Sequence, residues 1–157
     1  KQKQQKKINM LVWIKNLYKK LKVLRCGSIQ NQETNFLELK YFTLSEFDSP
    51  DEPGSGSKMD KDFLEKLDYA RGNASIAFKI TSGYRTPHWN DNVAGGRIGS
   101  SHKKGLAADI AYTGSRERYI IVKTLMDVGI NRLGISKGFI HADVDKSKDT
   151  NVIWLYD

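Results

Sequence analysis

The stretch Ser100-Ser101-His102-Lys103-Lys104-Gly105-Leu106-Ala107-Ala108-Asp109-Ile110 decides how this 157-residue chain is read. A histidine leaves a glycine-rich loop, the backbone can turn at Gly105, and an aspartate follows among small apolar neighbours. Ala107, Ala108, Ile110 and Ala111 mark the segment from 107 to 112 as a buried strand. A carboxylate inside such a strand needs a cation or several donors beside it. A metal ion shared with His102 would satisfy Asp109. So would a turn cap or an ion pair with Arg85.

A second stretch answers the first: Gly138-Phe139-Ile140-His141-Ala142-Asp143-Val144-Asp145. Side chains alternate along a strand, so His141, Asp143 and Asp145 share one face while Ile140 and Val144 take the other. A strand histidine taken alone is more often a hydrogen-bonded structural residue than a ligand. A histidine beside a carboxylate on one face nevertheless suits a metal ligand next to a general base. Two histidines and one carboxylate would leave a fourth position for water, as a catalytic zinc site requires.

Working outward, 60–71 reads as a helix with Phe63, Leu64, Leu67 and Ala70 on one face and Gly72 as its stop. A short strand is expected over 76–81 and a long functional loop over 82–101. A helix is expected over 116–128, capped by Ser115, with Tyr119, Val122, Leu125 and Met126 inward. Strands at 138–144 and 152–156 complete the chain. Helices and strands are segregated, which implies an α+β domain with a small, mostly antiparallel sheet and flanking helices.

Charge is distributed unevenly. The chain carries 26 Lys and Arg against 18 Asp and Glu. Nine of the basic residues and none of the acidic ones fall in residues 1–25, leaving 17 basic and 18 acidic for the rest. The remainder is nearly neutral, which argues against a nucleic-acid-binding surface spread over the domain. Met10, Ile14, Leu17, Leu21 and Leu24 recur at helical spacing among lysines, so residues 1–25 can make weak contact with an anionic membrane surface. The alternative is a solvated tail, or translated sequence upstream of the true start, since the chain opens on Lys1. Residues 1–35 are thus expected to be tail and linker, with the domain over 36–157. Cys26 is the single cysteine, which excludes intrachain disulfides and cysteine-rich zinc modules. Lys15 interrupts the only apolar run near the start, so a signal peptide is not evident.

Three other chemistries fail on their motifs. There is no Gly-Lys dipeptide for a phosphate loop and no His-Glu-x-x-His helix. Ser100 or Ser101 with His102 and Asp109 can be written as a triad, but no Gly-x-Ser-x-Gly elbow supports it.

The order Ser82-Gly83-Tyr84-Arg85-Thr86-Pro87, Asn90, Gly95-Gly96, Ser-x-His-x-x-Gly-x-Ala-x-Asp and Phe-Ile-His-x-Asp resembles the zinc D-alanyl-D-alanine carboxypeptidases and L-alanyl-D-glutamate endopeptidases. These are peptidoglycan-cutting metallopeptidases that share a fold with the hedgehog signalling domain, with small copies in bacteria and phages. The likeness spans roughly residues 41–156. It implies zinc held by His102, Asp109 and His141, with Arg85 and Ser100 in the substrate cleft. Arg85 would pair with a peptide carboxylate, a task that suits a guanidinium fork. One departure stands out. Many members carry a glutamate three residues before the last ligand, and here that residue is Gly138. Asp143 is the expected substitute base, with Asp145 in reserve; the alternative is a catalytically silent module that binds wall peptide or protein. His88 is expected to be a loop or substrate-side residue. A monomer is expected, acting at the cell wall in the periplasm or outside the cell, and in the absence of an evident export signal it would be held in the cytoplasm until released.

Overall fold

A computed structural model describes residues 38–156. The basic amphipathic segment, Cys26 and the linker lie outside the described residues. Among those described, no helix is long and apolar enough to cross a membrane.

The first helix, α1 (Lys61–Ala74), begins where Asp60 accepts a hydrogen bond from the Phe63 amide at 2.9 Å. Its buried residues Phe63, Leu64, Leu67, Ala70 and Ala74 form the expected stripe, extended by one turn. The helix passes through Gly72 and ends at Ser75, in the left-handed conformation at φ 55°. Gly72 has a different purpose: a Cβ there would stand 2.8 Å from the Tyr41 ring, so the glycine admits a close contact.

The expected loop over 82–101 contains a short helix, α2 (Pro87–Asn92), with Thr86 accepting from the Trp89 amide and Pro87 in the first turn. The third helix, α3 (Ser115–Asp127), starts after Gly114, so Ser115 is its first residue rather than its cap. Its inner face is Ile121, Thr124 and Leu125. Of the four inward residues expected, Leu125 is buried and Val122 packs against the core, whereas Tyr119 and Met126 are 67% and 46% exposed. The run Tyr119-Ile120-Ile121-Val122 offers apolar groups on two adjoining faces, and packing against α1 selects the one centred on Ile121.

Five strands form one sheet: β1 (Lys79–Ser82), β2 (Ala107–Ala111), β3 (Arg132–Ile135), β4 (Phe139–Asp143) and β5 (Val152–Leu155). Their order is β1-β2-β4-β3-β5, antiparallel throughout except for the parallel β3–β5 pair. The fold is α+β, as the segregated elements implied. Strand β3 had no sequence signal, being four residues with Gly134 inside.

The two faces of the sheet differ in kind. Ala108, Ile110, Ile140, Ala142 and Leu133 point to the core, where Phe42, Phe47, Phe63, Leu67 and Leu125 cover them. The opposite face is polar along one line. Register places Asp109 opposite His141, His141 opposite Gly134, and Gly134 beside Trp154. One step further along, Ala107, Asp143, Arg132 and Val152 form a second row.

Candidate metal centre

Two side chains reach the site from the sheet and one from a turn. Asp109 and His141 are cross-strand neighbours on β2 and β4. His102 comes from the 3-10 turn Ser101–Lys104, which closes at Gly105 with φ 70°. Only glycine fits there. A Cβ at Gly105 would lie 2.3 Å from the Lys58 carbonyl oxygen, in a backbone region that side chains rarely enter.

The three donor atoms form a tight triangle. His102 Nε2 lies 3.2 Å from His141 Nδ1 and 3.3 Å from Asp109 Oδ1, and His141 Nδ1 lies 2.9 Å from Asp109 Oδ1. A tetrahedral ion with ligand bonds of 2.0–2.1 Å separates its ligands by about 3.3 Å. The triangle is therefore close to one face of such a tetrahedron. All three residues are buried.

The far nitrogen of each histidine explains which way its lone pair points. His102 Nδ1 sits 2.7 Å from the Gly83 carbonyl oxygen, which can only accept, so Nδ1 carries the proton and Nε2 is free to ligate. His141 Nε2 sits 3.1 Å from Asp143 Oδ2, leaving Nδ1 toward the triangle. Three acceptors this close repel one another unless a cation lies among them. A proton on His141 would serve the same end. Burial lowers that imidazole's pKa, but hydrogen bonds to Asp109 and Asp143 outweigh it and raise the value. Burial likewise works to raise the Asp109 carboxyl, and His102 and His141 reverse this, holding it well below the usual range. A divalent cation would replace that proton, so the donor set fits a metal.

Arg85 completes the wall of Asp109. One terminal nitrogen bonds Asp109 Oδ2 at 2.7 Å and its Nε bonds Ser82 Oγ at 2.8 Å. Arg85 and Ser100 both line the cleft above the triangle, an open space of about 850 Å³. The glycine-rich loop 95–99 borders one side, and Phe139, Trp154 and Tyr156 border the other. Gly134 makes the aromatic side possible, because a Cβ there would meet the Trp154 and Tyr156 rings at 2.5–2.6 Å. His88, expected in a loop or on the substrate side, stands in α2, exposed, with Nδ1 3.5 Å from Asp51 and outside the cleft lining.

Asp143, the base suggested by the sequence, is aimed elsewhere. Alternation does put it on the His141 face, but its Oδ2 meets the imidazole nitrogen remote from Asp109 and His102. Its Oδ1 accepts from Arg132 Nε at 2.9 Å and from the Asp145 amide at 3.0 Å. Its pKa is lowered: burial pushes it up, and His141 with the Asp145 amide and Arg132 brings it down further. Asp145, the reserve, is also occupied, by Ser101, Lys104 and Ser147. At Gly138 a Cβ would meet nothing within 4 Å, so no packing constraint explains the missing acid.

Sequence reading missed Arg132, Trp154 and the Gly83 carbonyl. The first two belong to strands joined by the parallel pairing, and a backbone acceptor leaves no trace in residue identity.

No curated protein matches the chain. A sequence model of Peptidase M15 matches residues 40–143, from the first core segment to Asp143, and with it the metal-dependent character of that family. With a His-Asp-His triangle able to hold a cation at the floor of an open cleft, and that match over more than half its length, this chain belongs to the Peptidase M15 family.

Proposed function

We propose that this protein is a zinc peptidase acting on peptidoglycan stem peptides, as a D,D-carboxypeptidase or an endopeptidase. The observation that carries the reading is the triangle of His102 Nε2, Asp109 Oδ1 and His141 Nδ1, with an acceptor placed on the other ring nitrogen of each histidine. His102, Asp109 and His141 would hold the metal. Zinc in a set of two histidines and one carboxylate polarises a carbonyl and lowers the pKa of water toward 7.

The remaining roles belong to the chain itself. Arg85 uses Nε and one terminal nitrogen on Ser82 and Asp109, and its other terminal nitrogen would take a substrate carboxylate. Ser100 lines the same cleft and would contact the peptide backbone. Trp154 and Tyr156 would shield the reacting bond from solvent. The site of action would be the cell wall, with the protein working as a monomer and residues 1–25 adding weak membrane contact.

A second reading rests on the observation that Asp143 is bound on both oxygens, and the glycine at 138, where the resemblance implies an acid, agrees with it. On that reading the fold holds metal and binds wall peptide without turnover. Mass spectrometry of purified peptidoglycan after incubation with the protein separates the two. New stem-peptide ends or released D-alanine support the enzyme. Intact peptidoglycan, with the zinc-loaded protein still retained on it, supports the binding module.

A further inference from the structure

We infer that Asp143, clamped by Arg132, is a positioning residue that keeps the His141 proton on Nε2 and so turns the Nδ1 lone pair toward the metal position. The inference rests on the metallopeptidase reading and assigns Asp143 a different task from the base that the sequence suggested.

The geometry leaves little freedom. Asp143 Oδ1 receives two donors, Arg132 Nε at 2.9 Å and the Asp145 amide at 3.0 Å. Both groups can only donate, so Oδ1 has to be an acceptor. That orients the carboxylate and leaves Oδ2 facing His141 Nε2 at 3.1 Å. Oδ2 then accepts the imidazole N–H. Arg132 is itself held, stacked with its guanidinium carbon 5.3 Å from the Trp154 ring centre and bonded to the Asp149 carbonyl. Asp143 is 1% exposed, so water does not compete for it. Gly83 does the same job for His102 with a backbone oxygen. Each histidine thus has a dedicated acceptor on the nitrogen that faces away from the triangle.

This assignment makes an unusual prediction about two substitutions. In Asp143→Asn the two donors at the Oδ1 position require the amide oxygen, so the amide NH2 must face His141 Nε2. The imidazole then has to accept there and carry its proton on Nδ1, pointing into the triangle. Asp143→Ala leaves Nε2 free to keep its proton. The near-isosteric asparagine should therefore harm metal binding more than the truncation does. A residue that matters only for packing would give the opposite order.

The test is zinc affinity of the full-length protein by competition with a chromophoric chelator, alongside peptidoglycan turnover. Asp143→Ala should weaken zinc binding by about 10–100-fold, and Asp143→Asn should weaken it further. Wild-type affinity in both variants, with only turnover lost, would overturn the inference and restore the general-base assignment. A wild type that binds no zinc would overturn the metallopeptidase reading and this inference with it. Should the variants fail to fold, the wild type still decides. Long-range proton–nitrogen correlation spectra of the zinc-loaded protein should show His141 protonated at Nε2 and bare at Nδ1. A proton on Nδ1, or none on Nε2, would overturn the assignment.

Discussion

The two histidines of the centre are delivered by opposite kinds of structure. His141 stands in the middle of β4, with hydrogen-bonded strands on both sides, and register alone sets it across from Asp109. His102 stands on a single 3-10 turn, held by a left-handed glycine, a carbonyl from the end of β1 and a tie to the segment after β4. Strand positions are determined by many repeated bonds, whereas the turn depends on a few singular ones. The turn is therefore where small changes should have large effects.

The comparison vanishes altogether if a donor is removed. His102→Ala, Asp109→Ala and His141→Ala each break the triangle, and bound zinc should fall from about one per chain to near zero. Elemental analysis after dialysis against a weak chelator measures this; full zinc retention by any of the three would remove that residue from the site.

Attacking the turn alone sharpens the contrast. Gly105→Ala places a Cβ 2.3 Å from the Lys58 carbonyl at a positive φ. It should cost about 1–3 kcal/mol of stability and weaken zinc binding as well. Gly138→Ala, with open space around the new atom, should change stability by less than about 0.5 kcal/mol. Urea unfolding curves of the two variants give the comparison directly.

Acid probes the tie between turn and strand. Asp145 accepts from Ser101 at 3.1 Å and from Lys104 at 2.9 Å, clasping the His102 turn to the segment that follows β4. Burial works to raise its pKa, but Ser147, Lys104 and Ser101 together hold it well below the ordinary carboxylate value. A carboxyl depressed in the folded state contributes stability that is present above its unfolded pKa and lost as pH falls toward the folded one. Stability should begin to fall below about pH 4 on this account. Asp145→Asn should be less stable at neutral pH and show a flatter decline in acid, measured by urea unfolding at pH 7 and pH 3.

The smallest effect on the centre should come from residues 1–35. Their removal should leave zinc affinity unchanged, because the three donors and the acceptors that orient them, Gly83 and Asp143, are all supplied by residues 83–143. It should abolish any salt-sensitive binding to anionic vesicles, followed by sedimentation at low and high salt. A truncated protein with altered zinc affinity would show that the tail bears on the domain.

How much could be read beforehand depends on the range of the signal. The α1 stripe was legible because Phe63, Leu64, Leu67 and Ala70 repeat with the helix itself. The α3 face was right at Val122 and Leu125 and wrong at Tyr119 and Met126, because Tyr119, Ile120, Ile121 and Val122 satisfy more than one helical face and only α1 chooses between them. Strand β3 was invisible: Arg-Leu-Gly-Ile is too short for alternation to show, and Gly134 is there for the Trp154 and Tyr156 rings.

By itself, then, the amino-acid order determined which residues could form a centre. The spacing from His102 through Gly105 to Asp109 and the alternation that puts His141 and Asp143 on one face are local properties of turns and strands. Tertiary structure decided what each residue does there. Which nitrogen of His141 meets Asp143 follows from the pairing of Arg132 with Asp143 across β3 and β4, and which nitrogen of His102 is free follows from the Gly83 carbonyl. Hydrogen bonds to partners distant in sequence set the direction of a lone pair, and no local pattern encodes those partners.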